Sequence, residues 1–113
     1  MKLFNDRLVL EELAHETKYS VDALAEHFSV SSRQFRYAFE QEFGTTPKSW
    51  MKECRVRRAL NLIEQGVPFD TIWRELHYST LGHMRTEIKS LTGTTPNKIN
   101  LYAKVNKVRL DKM

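Results

Sequence analysis

The tetrapeptide Gly-Thr-Thr-Pro occurs twice in this 113-residue chain, at positions 44–47 and 93–96. Each copy is preceded, at matching distances, by apolar residues with the i, i+3, i+4, i+7 spacing of an amphipathic helix. The offset is 48 residues between those helices and 49 between the tetrapeptides, so the second segment has one extra residue near its turn. The sequence therefore predicts an internal duplication, in which the first helices bury Val21, Leu24, Ala25 and Phe28, then Phe69, Ile72, Trp73 and Leu76.

Each copy has the plan of a short helix, a tight turn and a longer helix. In the first copy Ser20 is an expected N-cap, residues 29–32 break the helix, and Ser31 or Ser32 can cap the next one. The longer helices should end at glycines, which adopt the left-handed conformation easily. This spacing is typical of a helix-turn-helix. The longer helices should bury Phe35, Ala38, Phe39 and Phe43 in the first copy, and Leu81, Met84, Ile88 and Leu91 in the second.

A long helix joins the two copies and should run from Pro47 to Gln65, between a Thr-Thr-Pro start and Gly66. At 1.5 Å per residue it is roughly 28 Å long. A helix containing Leu3, Phe4, Leu8, Leu10 and Leu13 is expected before the first copy, and a short one from Asn97. We predict an all-α chain of about seven helices, with a first helix-turn-helix unit at residues 1–46, a linker helix at 47–66, a second unit at 67–103 and a basic tail at 104–113.

Composition excludes several classes of protein. No apolar run has the length of a membrane span, and the charged N-terminus is unlike a signal peptide. The single cysteine, Cys54, lies on the apolar side of the linker helix, so we expect it in a core and the chain in a reducing cytoplasm. The four histidines lack zinc-site spacing, and no phosphate-binding loop or nucleophile motif occurs. We therefore predict no metal, no cofactor and no enzymatic activity.

The net charge of +4 is unevenly distributed. Residues 1–50 carry 6 basic and 8 acidic side chains, whereas residues 51–113 carry 12 basic and 6 acidic ones. A basic half suggests a polyanionic partner, and a solvated basic surface explains the same charge equally well. Charge alone leaves both interpretations open.

Residues spread over both units and the linker form one pattern together: Ser20, Val21, Leu24, Ala25, Val30, Ser31, Phe35, Phe39, Phe43, Gly44 and Pro47 in the first unit, Trp50, Arg55, Ala59, Leu62 and Ile63 in the linker, and Ile72, Tyr78, Ser79, Lys89, Gly93, Thr95 and Pro96 in the second unit. With these residues, two helix-turn-helix units joined by one long helix resemble the DNA-binding domain of AraC/XylS-type transcription regulators, over roughly residues 8–100. Four residues of the second unit, Trp73, His77, Met84 and Ile88, stand where the family pattern usually has alanine, glycine and two phenylalanines.

The resemblance implies a bacterial transcription regulator whose partners are double-stranded promoter DNA and RNA polymerase, associated with the nucleoid. Many family members also carry a separate effector-binding or dimerisation domain. A chain of this length has no room for one, so we expect either a stand-alone regulator or an excised C-terminal half. Two units that engage successive major grooves on one face of DNA would lie about 34 Å apart.

A recognition helix reads base edges in the major groove through side chains that donate or accept hydrogen bonds. In the first unit such groups lie opposite the phenylalanine stripe, and Arg33 and Arg36 lie toward the N-terminal half of the helix. The expected DNA-binding residues are Ser32, Arg33, Gln34, Arg36 and Tyr37 on the first recognition helix, and Thr80, His83, Arg85, Thr86 and Lys89 on the second.

The two units should contribute unequally. Leu81 and Gly82 offer no hydrogen-bonding side chain at the start of the second recognition helix, and His77 stands where a glycine is expected in the turn. We therefore expect the first unit to read sequence and the second mainly to contact the backbone. An alternative is a protein-interaction module that kept the fold and lost DNA reading in the divergent second unit.

Overall fold

The computed structural model describes residues 7–96 and 98, and within them the chain forms six α-helices and no strand. The predicted all-α class is confirmed. The short helix expected from Asn97 and the basic tail at 104–113 lie outside the described residues. The helices are α1 (Arg7–Glu16), α2 (Val21–His27), α3 (Ser32–Phe43), α4 (Pro47–Glu64), α5 (Phe69–Glu75) and α6 (Leu81–Thr92).

The chain divides into two compact units, Met1–Arg55 and Val56–Met113, and the boundary falls within α4. The first half of α4 therefore belongs to the first unit, where Trp50, Met51 and the predicted core residue Cys54 are buried. The second half belongs to the second unit. Thr46 caps the helix, since its Oγ1 accepts a hydrogen bond from the Ser49 amide at 3.1 Å.

The first unit is built on an aromatic core. Phe35 and Phe39, one turn apart on α3, are both fully buried, with ring centroids 5.8 Å apart. Trp50 of α4 packs against Phe39 with a centroid separation of 5.4 Å. The buried set is completed by Leu10, Ala14, Leu24, Ala25, Met51 and Cys54. The predicted stripe on α3 is thus confirmed as the face that packs inward.

The second unit has a core of its own in which aliphatic side chains replace the phenylalanines. Met84 and Ile88 of α6 are fully buried at the places that Phe35 and Phe39 hold on α3. The rest of the buried cluster consists of Val56, Ala59, Ile63, Ile72, Leu76 and Tyr78. The departures from the family pattern at Met84 and Ile88 therefore keep the inward face of the recognition helix apolar.

Two leucines of the predicted helices are exposed, and one of them, Leu91, was expected to be buried. Leu8, in the first turn of α1, is 73% exposed, and Leu91, in the last turn of α6, is 42% exposed. The buried stripe of α1 runs through Leu10 and Ala14, and Leu8 lies about 200° around the helix from Leu10 at 100° per residue. In α6 the inward position next to Ile88 is taken by Glu87. The expectation that Leu91 is buried was wrong because the apolar stripe was extended into the last turn of α6.

The turns of the two units share their backbone conformation up to Val30 and Tyr78. Ser29 and His77 occupy the equivalent left-handed position, with φ of 57° and 61°. The Val30 amide donates to Ala25 O at 3.1 Å, and the Tyr78 amide donates to Trp73 O at 3.0 Å. The N-caps that follow are Ser31 and Thr80, 49 positions apart. The extra residue of the second unit therefore lies between Tyr78 and Thr80.

His77 holds this left-handed conformation at an energetic cost, because a side chain beyond Cα crowds the following carbonyl there. Replacing His77 by glycine should raise the free energy of unfolding by about 1 kcal/mol relative to His77→Ala, which removes the same ring and keeps the Cβ. Urea denaturation of the two variants measures the difference. Equal stability of the glycine and alanine variants would show that the turn carries no such strain.

Candidate nucleic-acid interface

The second helix of each helix-turn-helix, α3 in the first unit and α6 in the second, is its expected recognition helix. Each contains 12 residues and ends at a left-handed glycine, Gly44 with φ of 69° and Gly93 with φ of 75°. Each begins at a side-chain cap, with Ser31 Oγ accepting from the Gln34 amide and Thr80 Oγ1 accepting from the His83 amide. The two helices can therefore be compared residue by residue at an offset of 49.

The exposed face of α3 carries three of the predicted DNA-binding side chains. Arg33, Arg36 and Tyr37 are all exposed, and Tyr37 is 68% exposed despite its large aromatic ring. Arg33 and Tyr37 lie opposite the buried Phe35 and Phe39, which fix the rotation of the helix by packing inward, and Arg36 lies at the side of that stripe. Two guanidinium groups and a phenol are thus held on one solvent-facing surface.

Ser32 and Gln34, also predicted to bind DNA, make hydrogen bonds within the first unit. The Ser32 hydroxyl donates to Asp22 Oδ1 at 2.5 Å, which connects the start of α3 to the first turn of α2. Gln34 Oε1 accepts from the Ser31 amide at 3.1 Å and completes a capping box. The Ser32 contact positions α3 against α2, and the Gln34 contact fixes the start of α3. Both side chains therefore use hydrogen-bonding groups within the protein.

The exposed face of α6 carries Arg85, Thr86 and Lys89. Arg85 lies at the place of Arg36, five residues after the N-cap in both helices. The other matching positions differ in chemistry, since Thr86 replaces the phenol of Tyr37 and Lys89 replaces the carboxylate of Glu40. The second recognition helix therefore has one guanidinium in common with the first.

Thr80 and His83, the other two predicted residues of the second unit, hold its turn together. Thr80 is the N-cap of α6, and its Oγ1 accepts from the His83 amide at 3.0 Å. The Ser79 amide donates to His83 Nδ1 at 3.4 Å, and Ser79 Oγ lies 3.2 Å from the same nitrogen. Because Ser79 lies in the lengthened turn, the imidazole stabilises the segment that the first unit lacks.

A buried carboxylate on α6 joins this network and was missed by the sequence analysis. Glu87 is only 6% exposed; its Oε1 accepts from the Tyr78 hydroxyl at 3.3 Å and its Oε2 lies 3.4 Å from His83 Nε2. The Tyr78 and His83 rings also pack edge to face, with centroids 5.1 Å apart. The first unit has Ala38 at this place on α3. The missed signal was an acidic residue directly before Ile88, on the apolar stripe.

A second cluster lies on α5, where Trp73 replaces the buried Ala25 of the first unit. Trp73 is half-buried, and its indole N–H donates to Asp70 Oδ1 at 3.0 Å. The Arg74 guanidinium lies 4.8 Å from the centroid of the Trp73 ring, and its Nε lies 3.5 Å from Asp70 Oδ2. The large side chain thus packs against the core of the second unit, and its polar edge and ring face contact residues of its own helix.

These features define a class of protein, the double helix-turn-helix, with two capped recognition helices that each expose polar and basic side chains. Residues 24–100 match the helix-turn-helix domain family of AraC type, and the chain belongs to that family, which consists of DNA-binding domains of transcription regulators. It is therefore not a family of enzymes.

A crystal structure of a transcriptional regulator from Chromobacterium violaceum, described as containing an AraC-type DNA-binding domain, has a similar fold. The TM-score is 0.68 at 25% sequence identity, and the similarity covers 83% of this chain and 90% of the other. No curated protein matches the chain. None of the helices in residues 7–96 combines the length and apolar character that crossing a membrane requires.

Removing the buried carboxylate should weaken the second unit selectively. Glu87→Ala leaves the Tyr78 hydroxyl and His83 without this partner, so the free energy of unfolding should fall by about 1–3 kcal/mol. Glu87→Gln, which keeps an acceptor for Tyr78, should lose less. In a Trp50→Phe background, the fluorescence of Trp73 follows the second unit alone, because the two tryptophans lie in different units.

Glu75 is an exposed acidic residue of the same unit, so Glu75→Ala is the matched control and should leave the midpoint of the unfolding transition unchanged. If Glu87→Ala is as stable as the parent in this assay, the free-energy cost of desolvating the carboxylate offsets the stabilising free energy of its contacts.

Proposed function

We propose that this protein binds double-stranded promoter DNA sequence-specifically, with α3 and α6 entering successive major grooves. The observation that carries the proposal is the exposed set Arg33, Arg36 and Tyr37, presented by a helix whose rotation is fixed by fully buried Phe35 and Phe39. Side chains at a fixed rotation can meet base edges in a constant register, which sequence reading requires.

The chemistry of α3 suits direct reading of bases. A guanidinium can donate two hydrogen bonds to O6 and N7 of guanine, and each such pair discriminates against a wrong base by about 1–3 kcal/mol. Arg36 and Arg33 are suited to this role because they lie in the N-terminal half of the helix. Tyr37 can donate to a phosphate or pack on the methyl group of thymine.

The second unit is better suited to positioning. Its first helical turn has Leu81 and Gly82 where α3 has Ser32 and Arg33, and the ring nitrogens of His83 already contact Ser79 and Glu87. Lys89 and Thr86 can contact phosphates, which fix register without specifying sequence. A bound site should therefore contain one strongly preferred half and a neighbouring half that tolerates more substitutions.

Regulation of a promoter would bring the bound protein close to RNA polymerase, and an effector-binding or dimerisation domain would supply control. RNA polymerase and such a domain are both part of the proposal.

The competing candidate is a protein-interaction module, and the observation in its favour is the half-buried Trp73 with its Arg74 and Asp70 contacts on α5. Binding to DNA separates the two candidates.

Affinity for random duplex DNA should fall steeply with salt, because each phosphate neutralised by a basic side chain releases counterions. Fluorescence anisotropy across a salt series should give a log–log slope of about −0.9 for each phosphate contacted. Hydroxyl-radical footprinting on a selected site should protect two segments about 10 base pairs apart. Salt-independent or undetectable binding would favour the interaction module, and a single protected segment would mean that only one unit contacts DNA.

Arg36→Ala should reduce affinity for the selected site by about 1–3 kcal/mol and relax base preference at one position. The change is at an exposed position, so circular dichroism and stability should remain those of the parent. Gln41→Ala, also exposed on α3 but toward its C-terminal end, is the matched control and should leave base preference unchanged. An Arg36→Ala protein that binds the selected site as tightly as the parent would exclude this residue from base reading.

A further inference from the structure

We infer that Arg36 and Arg85 are equivalent specificity residues, so each half of the binding site contains a G·C pair at the same place relative to its own unit. This inference rests on the proposed function and makes it more specific. It assigns to the second unit a single base pair that is read directly, within a half-site otherwise held through its backbone.

The two recognition helices are equivalent in the turn that precedes them, in their N-caps and in their length. Both helices follow a turn with a left-handed residue, φ of 57° at Ser29 and 61° at His77. Both begin at a hydroxyl cap and run for 12 residues to a left-handed glycine. The extra residue of the second unit lies before the cap at Thr80, so it leaves the count along α6 unchanged.

The direction of the two arginines within each helix is also equivalent. Arg36 directly follows buried Phe35 and precedes buried Phe39 by three residues. Arg85 stands in the same relation to buried Met84 and Ile88. At 100° per residue, each guanidinium stem leaves its helix at the same angle from the buried stripe. Each unit therefore presents one guanidinium at the same position with respect to its own core.

The charged neighbours of Arg85 differ from those of Arg36. Its nearest acidic neighbour in sequence, Glu87, is buried and its carboxylate oxygens contact Tyr78 and His83. One turn along the exposed face lies Lys89, which repels the guanidinium and strengthens attraction to DNA. In α3 the corresponding neighbour of Arg36 is the carboxylate of Glu40. Arg85 is thus disposed toward an anionic or acceptor-rich partner outside the protein.

The differences between the helices predict where the half-sites diverge. Gly82 offers no side chain at the place of Arg33, Thr86 is short at the place of Tyr37, and Lys89 reverses the charge of Glu40. Only Arg85 keeps the two-donor geometry that distinguishes guanine from the other bases. The second half-site should therefore show one fixed guanine among tolerant neighbours.

Selection of bound sites from a random duplex pool tests the inference with the parent, Arg36→Ala, Arg85→Ala and Arg85→Lys. Each alanine variant should lose a roughly tenfold preference for guanine at one position, Arg36→Ala in the strict half and Arg85→Ala in the tolerant half. The two relaxed positions should be equivalent within their halves. Arg85→Lys should keep affinity and lose part of the guanine preference, because an ammonium lacks the planar two-donor geometry. Lys89→Ala is the matched control on α6 and should weaken all sequences alike.

A transplant of the α3 face extends the test by gain of function. The variant Gly82→Arg, Thr86→Tyr and Lys89→Glu gives α6 the side chains that α3 has at Arg33, Tyr37 and Glu40, and keeps Arg85 and the Glu87 network. A Cβ at Gly82 meets only Thr80 Oγ1, at an ordinary contact distance of 3.6 Å, so the helix can accept the arginine. If the variant keeps the helical content of the parent, the base sequence selected in the tolerant half should become similar to the one selected in the strict half.

Each failure has its own meaning. If the parent shows no salt-dependent DNA binding, the proposed function itself is wrong. If the parent selects a site but Arg85→Ala weakens all sequences equally, Arg85 contacts phosphate and the inference is overturned while the function stands. A relaxed position that is not guanine, or not equivalent in the two halves, would also overturn the inference.

Discussion

The reciprocal hydrogen bonds at the start of α3 determine what that helix presents to solvent. Ser31 Oγ accepts from the Gln34 amide and Gln34 Oε1 accepts from the Ser31 amide, both at 3.1 Å, so the helix begins at Ser32. A start displaced by one residue would rotate every following side chain by about 100° relative to the entering chain. Phe35 would then leave the core and Arg36 would leave the exposed face. The cap therefore favours the same register that the buried Phe35 and Phe39 fix by packing, and the proposed base reading depends on that register.

Most of the fold could be predicted because helix periodicity and helix ends are local properties. The caps at Ser20 and Thr46 and the left-handed glycines at Gly44 and Gly93 all lie where short sequence patterns place them. Apolar identity alone failed at Leu91, since a leucine in a terminal turn packs only if another element covers it. Coverage is a tertiary property that periodicity does not contain.

The candidate site was predictable in part for the same reason. Residue type and helical face correctly placed Arg36 and Arg85 in solvent, but could not show that His83 had a partner on each ring nitrogen. That arrangement depends on Glu87, a buried carboxylate that makes polar contacts with Tyr78 and His83. A sequence pattern treats a buried acid as improbable and therefore overlooks the network that stabilises it.

The division of α4 between two cores has a consequence for how the chain folds. Beginning a helix is unfavourable because several residues must be ordered for the first hydrogen bond, whereas extending an existing helix is nearly free of that penalty. Once the first core has formed around Trp50 and Met51, the turns that carry Ala59 and Ile63 can grow from an existing helical end. Completion of either core thus removes a nucleation barrier from the other. Because the two units share α4, folding of one unit supplies a helical end from which the other can extend its part of α4, even though each unit has a hydrophobic core of its own.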